Sequence, residues 1–302
     1  MYNIYMDIVI PFHPKDFGTI EPCLKSIKKY VKKYNNIYII SHKNHNFPDT
    51  KWINLDPFPF NGDSVIKFHG KTSKNGWYLQ QLIKLYSVLC IPNVTSTIVV
   101  IDSDIIFCNE TNLYNDDMNI PNLNIQYDVV KGKAQWSPAY FAHMKKLHPS
   151  LRRMNKDITG ICQVFPIKKQ IILDLFKMVE DYHNNKYKFW ELFLKFSNGN
   201  ASASEFEILM NYILLYKKND YNYVKWIFGL AKDDNKHNLL ISDKNIDFFK
   251  KKNWKYIQYQ SHMRGVRHHN YKEVCIKCGT KACEGNECDE KNTNNREVET
   301  HP

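Results

Sequence analysis

The 302-residue chain lacks any long hydrophobic run, and nothing in it approaches the roughly 18 uninterrupted apolar residues of a membrane-spanning helix. Its opening stretch, Met1 to Phe12, has no basic leader and carries Asp7 inside the apolar segment, so it reads as a first strand rather than a signal peptide. The expected location is therefore cytoplasmic, which would leave the sequons Asn93-Val94-Thr95 and Asn109-Glu110-Thr111 idle. Internal repeats are lacking as well. Cysteine is sparse in the body of the chain: Cys23, Cys90, Cys108 and Cys162 stand alone among apolar residues and read as buried thiols. Without a secretory signal a disulfide framework is not expected. Acidic residues are in deficit, 31 Asp and Glu against 42 Lys and Arg, for a formal charge of +11. That balance favours anionic partners such as nucleotides, nucleic acid or acidic surfaces. The excess is mostly Lys scattered among Asn, Ile and Tyr, a usage that an AT-rich genome also produces.

What is present points to a globular α/β protein. Hydrophobic residues make up 43% of the chain and aromatics 14%, enough to build a large core rather than a disordered chain. The organising stretch is Thr97 to Phe107, a β-branched apolar run interrupted by Asp102-Ser103-Asp104. It reads as a strand buried on both faces, with acidic groups at the carboxyl end, where open α/β sheets bind ligands. In an extended segment Asp102 and Asp104 would point the same way and could converge on one cation. A strand-ending turn is the other reading, because Asp and Ser favour turns.

Around this stretch the pattern predicts a strand at residues 5–12, a turn at 13–16, a helix from Thr19 to Tyr34 and a strand from Ile37 to Ser41, a βαβ opening. Trp52 to Leu55 reads as a short strand, 56–75 as a loop and Trp77 to Leu89 as a helix. Further on, Tyr127 to Lys131 and Asp157 to Pro166 read as strands. Trp136 to Leu147, Lys168 to His183 and Ser204 to Lys217 read as helices, and Tyr223 to Phe228 and Trp254 to Gln260 as late strands. Alternation of this kind means a mainly parallel sheet flanked by helices.

Several segments, taken in order, resemble a known superfamily. They are Ile8-Val9-Ile10-Pro11, Trp77-Tyr78-Leu79-Gln80-Gln81-Leu82-Ile83-Lys84, Asp102-Ser103-Asp104 and Ser204-Glu205-Phe206-Glu207. Over roughly residues 5 to 265 the chain is similar to the GT-A, Rossmann-like nucleotide-diphospho-sugar glycosyltransferases. More narrowly, it resembles glycosyltransferase-like proteins of bacteria and large DNA viruses. The resemblance implies that Asp102 and Asp104 hold Mn²⁺ or Mg²⁺ on the donor diphosphate. It places Pro11 and Asp16 at the base and ribose, and Gln81 and Lys84 toward the donor, with Lys84 at phosphate. His262 would complete the metal shell, a surface histidine near Arg264 and Arg267 being the competing reading, and Arg264 and Arg267 could instead clamp the diphosphate. For Asp16 a helix-start role is the competing reading, and for Lys84 a solvated helix face.

Glu205 and Glu207 follow the flexible stretch Asn198 to Ala203, where a carboxylate could deprotonate an acceptor hydroxyl. Ser202-x-x-Glu205 and Ser204-x-x-Glu207 both match a capping box, so only one Ser can be the cap. The resemblance prefers Glu205 as base. Where relatives tend to carry histidines after the Cys of Ile161-Cys162-Gln163-Val164-Phe165, this chain has Gln163 and Val164, which leaves the acceptor open. Trp136 and Trp190 could stack on a sugar, or pack in the core.

The tail is a separate signal. Cys275-x2-Cys278-x4-Cys283-x4-Cys288 has the spacing of a zinc knuckle with Cys in place of its His, and four thiolates suit tetrahedral Zn²⁺. Ala282 stands where the knuckle's glycine is usual, and a reduced, unstructured tail is the alternative. The division expected is a transferase domain over 1–268 and a cysteine-rich tail over 269–302. The expected activity is metal-dependent sugar transfer from a nucleotide-diphospho-sugar donor to a hydroxyl-bearing glycan, protein or small molecule. Two alternatives stand beside it: a nucleic-acid-binding protein that uses its basic surface and tail, and a nucleotidyltransferase on the same fold.

Overall fold

A computed structural model describes residues 5–115, 120–127, 129–130, 133–134, 138–232, 243–259 and 273–275. Among them the α-helices are α1 (Phe17–Tyr30), α2 (Gly62–His69), α3 (Asn75–Cys90), α4 (Pro138–Leu147), α5 (Lys169–Tyr182), α6 (Phe189–Phe196), α7 (Glu205–Tyr216) and α8 (Asp243–Lys251). No helix among the described residues is long and apolar enough to cross a membrane. The chain divides into two compact units. One comprises Met1–Pro11, Lys33–Ile101 and Asn112–Lys225; the other comprises Phe12–Lys32, Asp102–Thr111 and Trp226–Pro302.

The first unit is built on a five-stranded sheet ordered Val164–Lys168, Thr97–Ile101, Met6–Pro11, Tyr34–Ile40, Lys51–Ile53. All neighbours are parallel except Val164–Lys168, which runs antiparallel beside Thr97–Ile101. The architecture is thus mixed α/β with a mostly parallel central sheet flanked by helices. Pro166 is tolerated because its strand is an edge, where a missing N–H costs no ladder bond. The central strand Met6–Pro11 is buried throughout, which makes Asp7 costly unless it is satisfied. Its Oδ1 accepts the Asn36 N–H at 3.0 Å and Asn36 Nδ2 at 2.8 Å, and its Oδ2 accepts the Thr95 N–H at 2.8 Å. A carboxylate inside the apolar run therefore ties the approaches to the strands on either side. Tyr78, Leu82 and Leu85 of α3 and Ile171, Ile172, Leu175 and Val179 of α5 fill the core.

The second unit carries a sheet ordered Glu273–Cys275, Phe228–Lys232, Tyr256–Gln258, Ile105–Phe107, of which only the last strand is antiparallel to its neighbour. Helix α1 packs on Ile105–Phe107, and Ser26 Oγ accepts the Phe107 N–H at 3.0 Å. Ile106, Cys108, Phe249, Ile257 and Tyr259 form its apolar core, with Ile246 and Trp254 against it.

Several expected elements differ. Helix α1 ends at Tyr30 rather than Tyr34, because Val31 is extended and Lys33 turns the chain through φ 60° into the next strand. The 56–75 segment contains α2, started by a reciprocal bond between Asn61 and Ser64; a Ser in place of Glu or Gln at the third position hides this capping box. Asp157 to Pro166 is two strands, Ile158–Thr159 and Val164–Lys168, in different sheets. Tyr223 to Phe228 likewise divides between Asn222–Val224 and Phe228–Lys232, which belong to different units. Phe189–Phe196 is a helix, and its Trp190 packs against Phe60 and Phe68 as a core aromatic.

Candidate functional site

The Thr97 to Phe107 run is not one strand. Asp102-Ser103-Asp104 forms a tight turn closed by the Ile105 N–H donating to Asp102 O at 3.3 Å. The turn opens where the chain leaves Thr97–Ile101 of the first unit, and it belongs to the second unit. Strand alternation therefore does not align the two carboxylates. They flank Ser103 instead, and the buried Ser103 hydroxyl donates to Asp16 Oδ2 at 3.0 Å. Asp16 is itself buried just before α1. Its N–H donates to His13 O at 2.9 Å, and its carbonyl accepts the Thr19 hydroxyl at 3.0 Å. It occupies the cap position of α1 without capping it through its side chain.

Below the turn, Cys23 Sγ lies 3.9 Å from Asp102 O. Burial pushes the Cys23 thiol far above its ordinary pKa, and the charges of Asp104 and then Asp102 push it further. Both carboxylates thus act on one buried point. Asp102 and Asp104 are half-buried overall, while their Oδ1 atoms are sealed from solvent. The Tyr259 N–H donates to Asp104 O at 2.8 Å and holds the turn from the far side.

A second polar group lies inside the first unit, on the face of α3 that carries Tyr78, Gln81 and Lys84. The Tyr78 hydroxyl meets Asn200 O at 3.0 Å and Ser202 Oγ at 3.1 Å, and accepts the Ser202 N–H at 3.2 Å. Gln81 Oε1 accepts the Glu205 N–H at 3.0 Å. Lys84 Nζ lies 3.1 Å from Glu205 Oε1 and 4.8 Å from the centroid of the Phe206 ring. One helix face therefore fixes the segment 197–204 and the first turn of α7. Lys84 and Glu205 are both buried, so the solvated-face reading of Lys84 does not hold.

Ser204 is the cap of α7, its hydroxyl oxygen accepting the Glu207 N–H at 3.3 Å. Glu207 turns inward: its Oε1 accepts the Thr159 hydroxyl and its Oε2 accepts Asn211 Nδ2 at 3.2 Å. Thr159 Oγ1 in turn accepts the Ile161 N–H at 3.1 Å. Beside it, a Cβ on Gly160 would lie 2.1 Å from Phe206 O, so only glycine fits against α7 there.

The structure therefore joins Asp16 to the Asp102–Asp104 turn, and joins Gln81 and Lys84 to Glu205. It points Glu207 at Thr159 and Asn211, and buries Pro11 at the end of the central strand. His262, Arg264, Arg267, Cys278, Cys283, Cys288 and Trp136 lie outside the described residues; of the Cys275 strand only the backbone is described. Among the described residues, no group of three or more His, Cys, Asp or Glu side chains is gathered as a metal site. Ser103 and Tyr78 were not legible as site residues, being a turn Ser and a core aromatic. The missed signal was the small residue between two Asp and the three-residue spacing of Tyr78, Gln81 and Lys84.

No family model matches the chain, and no curated protein matches it. A solved glycosyltransferase is among its structural neighbours. It is the apo structure of the bifunctional glycosyltransferase WbbM, with a TM-score of 0.41 and 14% sequence identity, over 90% of this chain and 47% of that one. The chain thus spans about half the length of that protein.

Proposed function

We propose that this chain is a metal-dependent GT-A-type glycosyltransferase, moving a sugar from a nucleotide-diphospho-sugar to a hydroxyl acceptor. The observation that carries this reading is the buttressed acidic turn, in which Asp102 and Asp104 flank a Ser103 fixed by buried Asp16. Two carboxylates on a fixed turn fit a hard divalent ion such as Mn²⁺ or Mg²⁺, which takes oxygen ligands and fills its shell with water and phosphate. Such an ion, when bound, neutralises the charge that develops on the departing diphosphate. Asp104 and Asp102 are the residues that would hold it, with His262 as a further proposed ligand and Arg264 at the diphosphate. Asp16 acts through Ser103 to keep the turn in place. Glu205 is the carboxylate assigned to the acceptor. In this reading its part is to take the proton of the acceptor hydroxyl. Lys84 Nζ lies 3.1 Å from its Oε1.

A thermal-shift panel of nucleotide sugars and nucleoside triphosphates, each with and without Mn²⁺, tests the reading. At least one nucleotide sugar should stabilise the protein, and only with the metal present. No shift for any nucleotide sugar, in a protein that is folded, overturns it. A shift for triphosphates alone transfers the site to nucleotidyl transfer.

A further inference from the structure

We infer that the second unit carries a basic surface that docks on an anionic lipid bilayer, with Ile227 as its apolar anchor. This goes beyond the transferase reading and does not depend on it.

The surface is built from two groups of lysines that the fold brings to one segment. On α1, Lys25, Lys28 and Lys29 fall at i, i+3 and i+4 and are exposed, while Cys23, Leu24 and Ile27 are buried on the other side. Lys32 follows, also exposed, in the strand Val31–Lys32, which pairs with the short strand that Thr111 opens. The second group is Lys250, Lys251 and Lys252, exposed at the end of α8. Asn253 then turns the chain through φ 59°. Asn109 Nδ2 donates to Lys250 O at 3.2 Å and to Trp254 O at 2.8 Å, and Lys255 Nζ donates to Glu110 O at 2.8 Å. The short stretch Asn109 to Thr111 thus holds the end of α8 and the end of α1 beside each other. Exposed Glu21, Glu110 and Asp247 offset only part of this charge. An extended anionic surface responds to the local excess, whatever else each ammonium touches.

Charge alone would suit a nucleic acid as well, and Ile227 decides between the two. It is 46% exposed, and its carbonyl accepts the Lys255 N–H at 2.7 Å, which sets it at the edge of the second lysine group. An aliphatic side chain there enters the interface of a bilayer, where apolar burial adds to the attraction of the lysines. It offers no ring face on which a base could stack. The exposed Phe17 lies at the opposite end of α1 from Lys28 and Lys29, edge-on to Phe12 at 5.2 Å. No arginine occurs among the described residues of this unit. The planar, two-point grip on phosphate is therefore missing, and the attraction is the diffuse kind that a charged surface exerts.

Co-sedimentation of the full chain with vesicles tests this. Vesicles of phosphatidylserine and phosphatidylcholine in equal parts should carry the protein down. Vesicles of phosphatidylcholine alone should not, and added salt should release it. Each lysine near such a surface strengthens binding about fivefold, so the triple variant Lys250→Gln, Lys251→Gln, Lys252→Gln should weaken it about a hundredfold. Lys25→Gln with Lys32→Gln should weaken it about twentyfold and stands in if the triple variant fails to fold. Ile227→Ser should weaken vesicle binding and leave binding to a poly-dT oligonucleotide unchanged. Removing as many charges from the first unit, by Lys145→Gln, Lys186→Gln and Lys218→Gln at exposed positions, should have a much smaller effect. An equal loss from that set means that net charge does the binding rather than this surface, and overturns the inference. Equal sedimentation with both vesicles, or with neither, also overturns it. So does an oligonucleotide held more tightly than the vesicles, with Ile227→Ser without effect on either.

Discussion

Ser103 donates its hydroxyl to Asp16 Oδ2 at 3.0 Å, with both side chains buried. That contact joins the turn between two candidate metal-holding carboxylates to the start of α1. Replacing Ser103 by Ala strips a donor from a buried carboxylate, at a cost of about 1–3 kcal/mol. Urea unfolding should show this loss. Mn²⁺-dependent nucleotide binding should weaken in parallel if the turn is what presents Asp102 and Asp104. A stability loss with binding untouched would confine Asp16 to a structural role.

Asp104→Asn keeps the shape of the turn and removes one charge from it. Mn²⁺-dependent binding of a nucleotide sugar should fall by at least about tenfold, since a hard divalent ion draws its affinity from ligand charge. Urea unfolding of the variant separates a loss of binding from a loss of folding. Isothermal titration with and without Mn²⁺ measures this, and an unchanged metal requirement would remove Asp104 from the metal site.

Lys84 and Glu205 behave as a buried ion pair at 3.1 Å, each side chain less than a tenth exposed. Lys84→Met alone leaves a buried charge without its cation, and should destabilise by about 3–5 kcal/mol. The double variant Lys84→Met with Glu205→Gln should recover much of that loss, since a neutral pair carries no such penalty. Chemical denaturation of both single variants and the double variant gives the coupling. Simple additivity would mean that the two residues do not interact in solution.

Gly160 fits against α7 with no room for a side chain, a Cβ meeting Phe206 O at 2.1 Å. Gly160→Ala forces the first turn of α7 to shift, an overpacking strain of about 1–3 kcal/mol. Because Thr159 and Glu207 bond across the same contact, the variant should also disturb the Glu205 backbone. Thermal unfolding checks the first effect. The second appears as a change in the NMR signal of the Gln81 side-chain amide, whose oxygen accepts the Glu205 N–H.

The parallel core was legible because its strands are β-branched runs with no competing pattern, and the helices at α3, α5 and α7 because their apolar periodicity is sustained. The break at Asp102-Ser103-Asp104 was legible only as one of two readings. Local composition permits both a strand and a turn, and the Ser103 to Asp16 contact that decides it spans 87 residues. Motif order set Gln81 and Lys84 toward the donor and Glu205 at the acceptor, so neither the Gln81 bond nor the Lys84 pairing to Glu205 was legible. Periodicity places a residue on a helix face without saying what that face meets. Helix α2 escaped because its cap pairs Asn61 with Ser64 inside a stretch rich in Pro and Gly.

His143 makes the stability of the fold depend on pH, and nothing in its local sequence pattern marks it for this role. It is buried, its Nε2 lies 2.9 Å from Phe193 O near the end of α6, and burial lowers its pKa to about 4. A neutral imidazole therefore donates to the Phe193 carbonyl, which the end of a helix leaves without an intrahelical partner. In the unfolded chain the same imidazole titrates near its ordinary value of 6.5. Below that value the unfolded state binds the proton and the folded state does not, so acid favours unfolding. The contribution is fully present above pH 6.5 and is lost as the pH falls toward 4, at about 1.4 kcal/mol per unit. His143→Gln keeps an N–H for Phe193 O and removes the titrating group. Its unfolding free energy should lose that part of the slope between pH 6 and 4.5, while carboxylate contributions common to both proteins remain. Equal slopes in the two proteins would mean that His143 takes up its proton in the folded state.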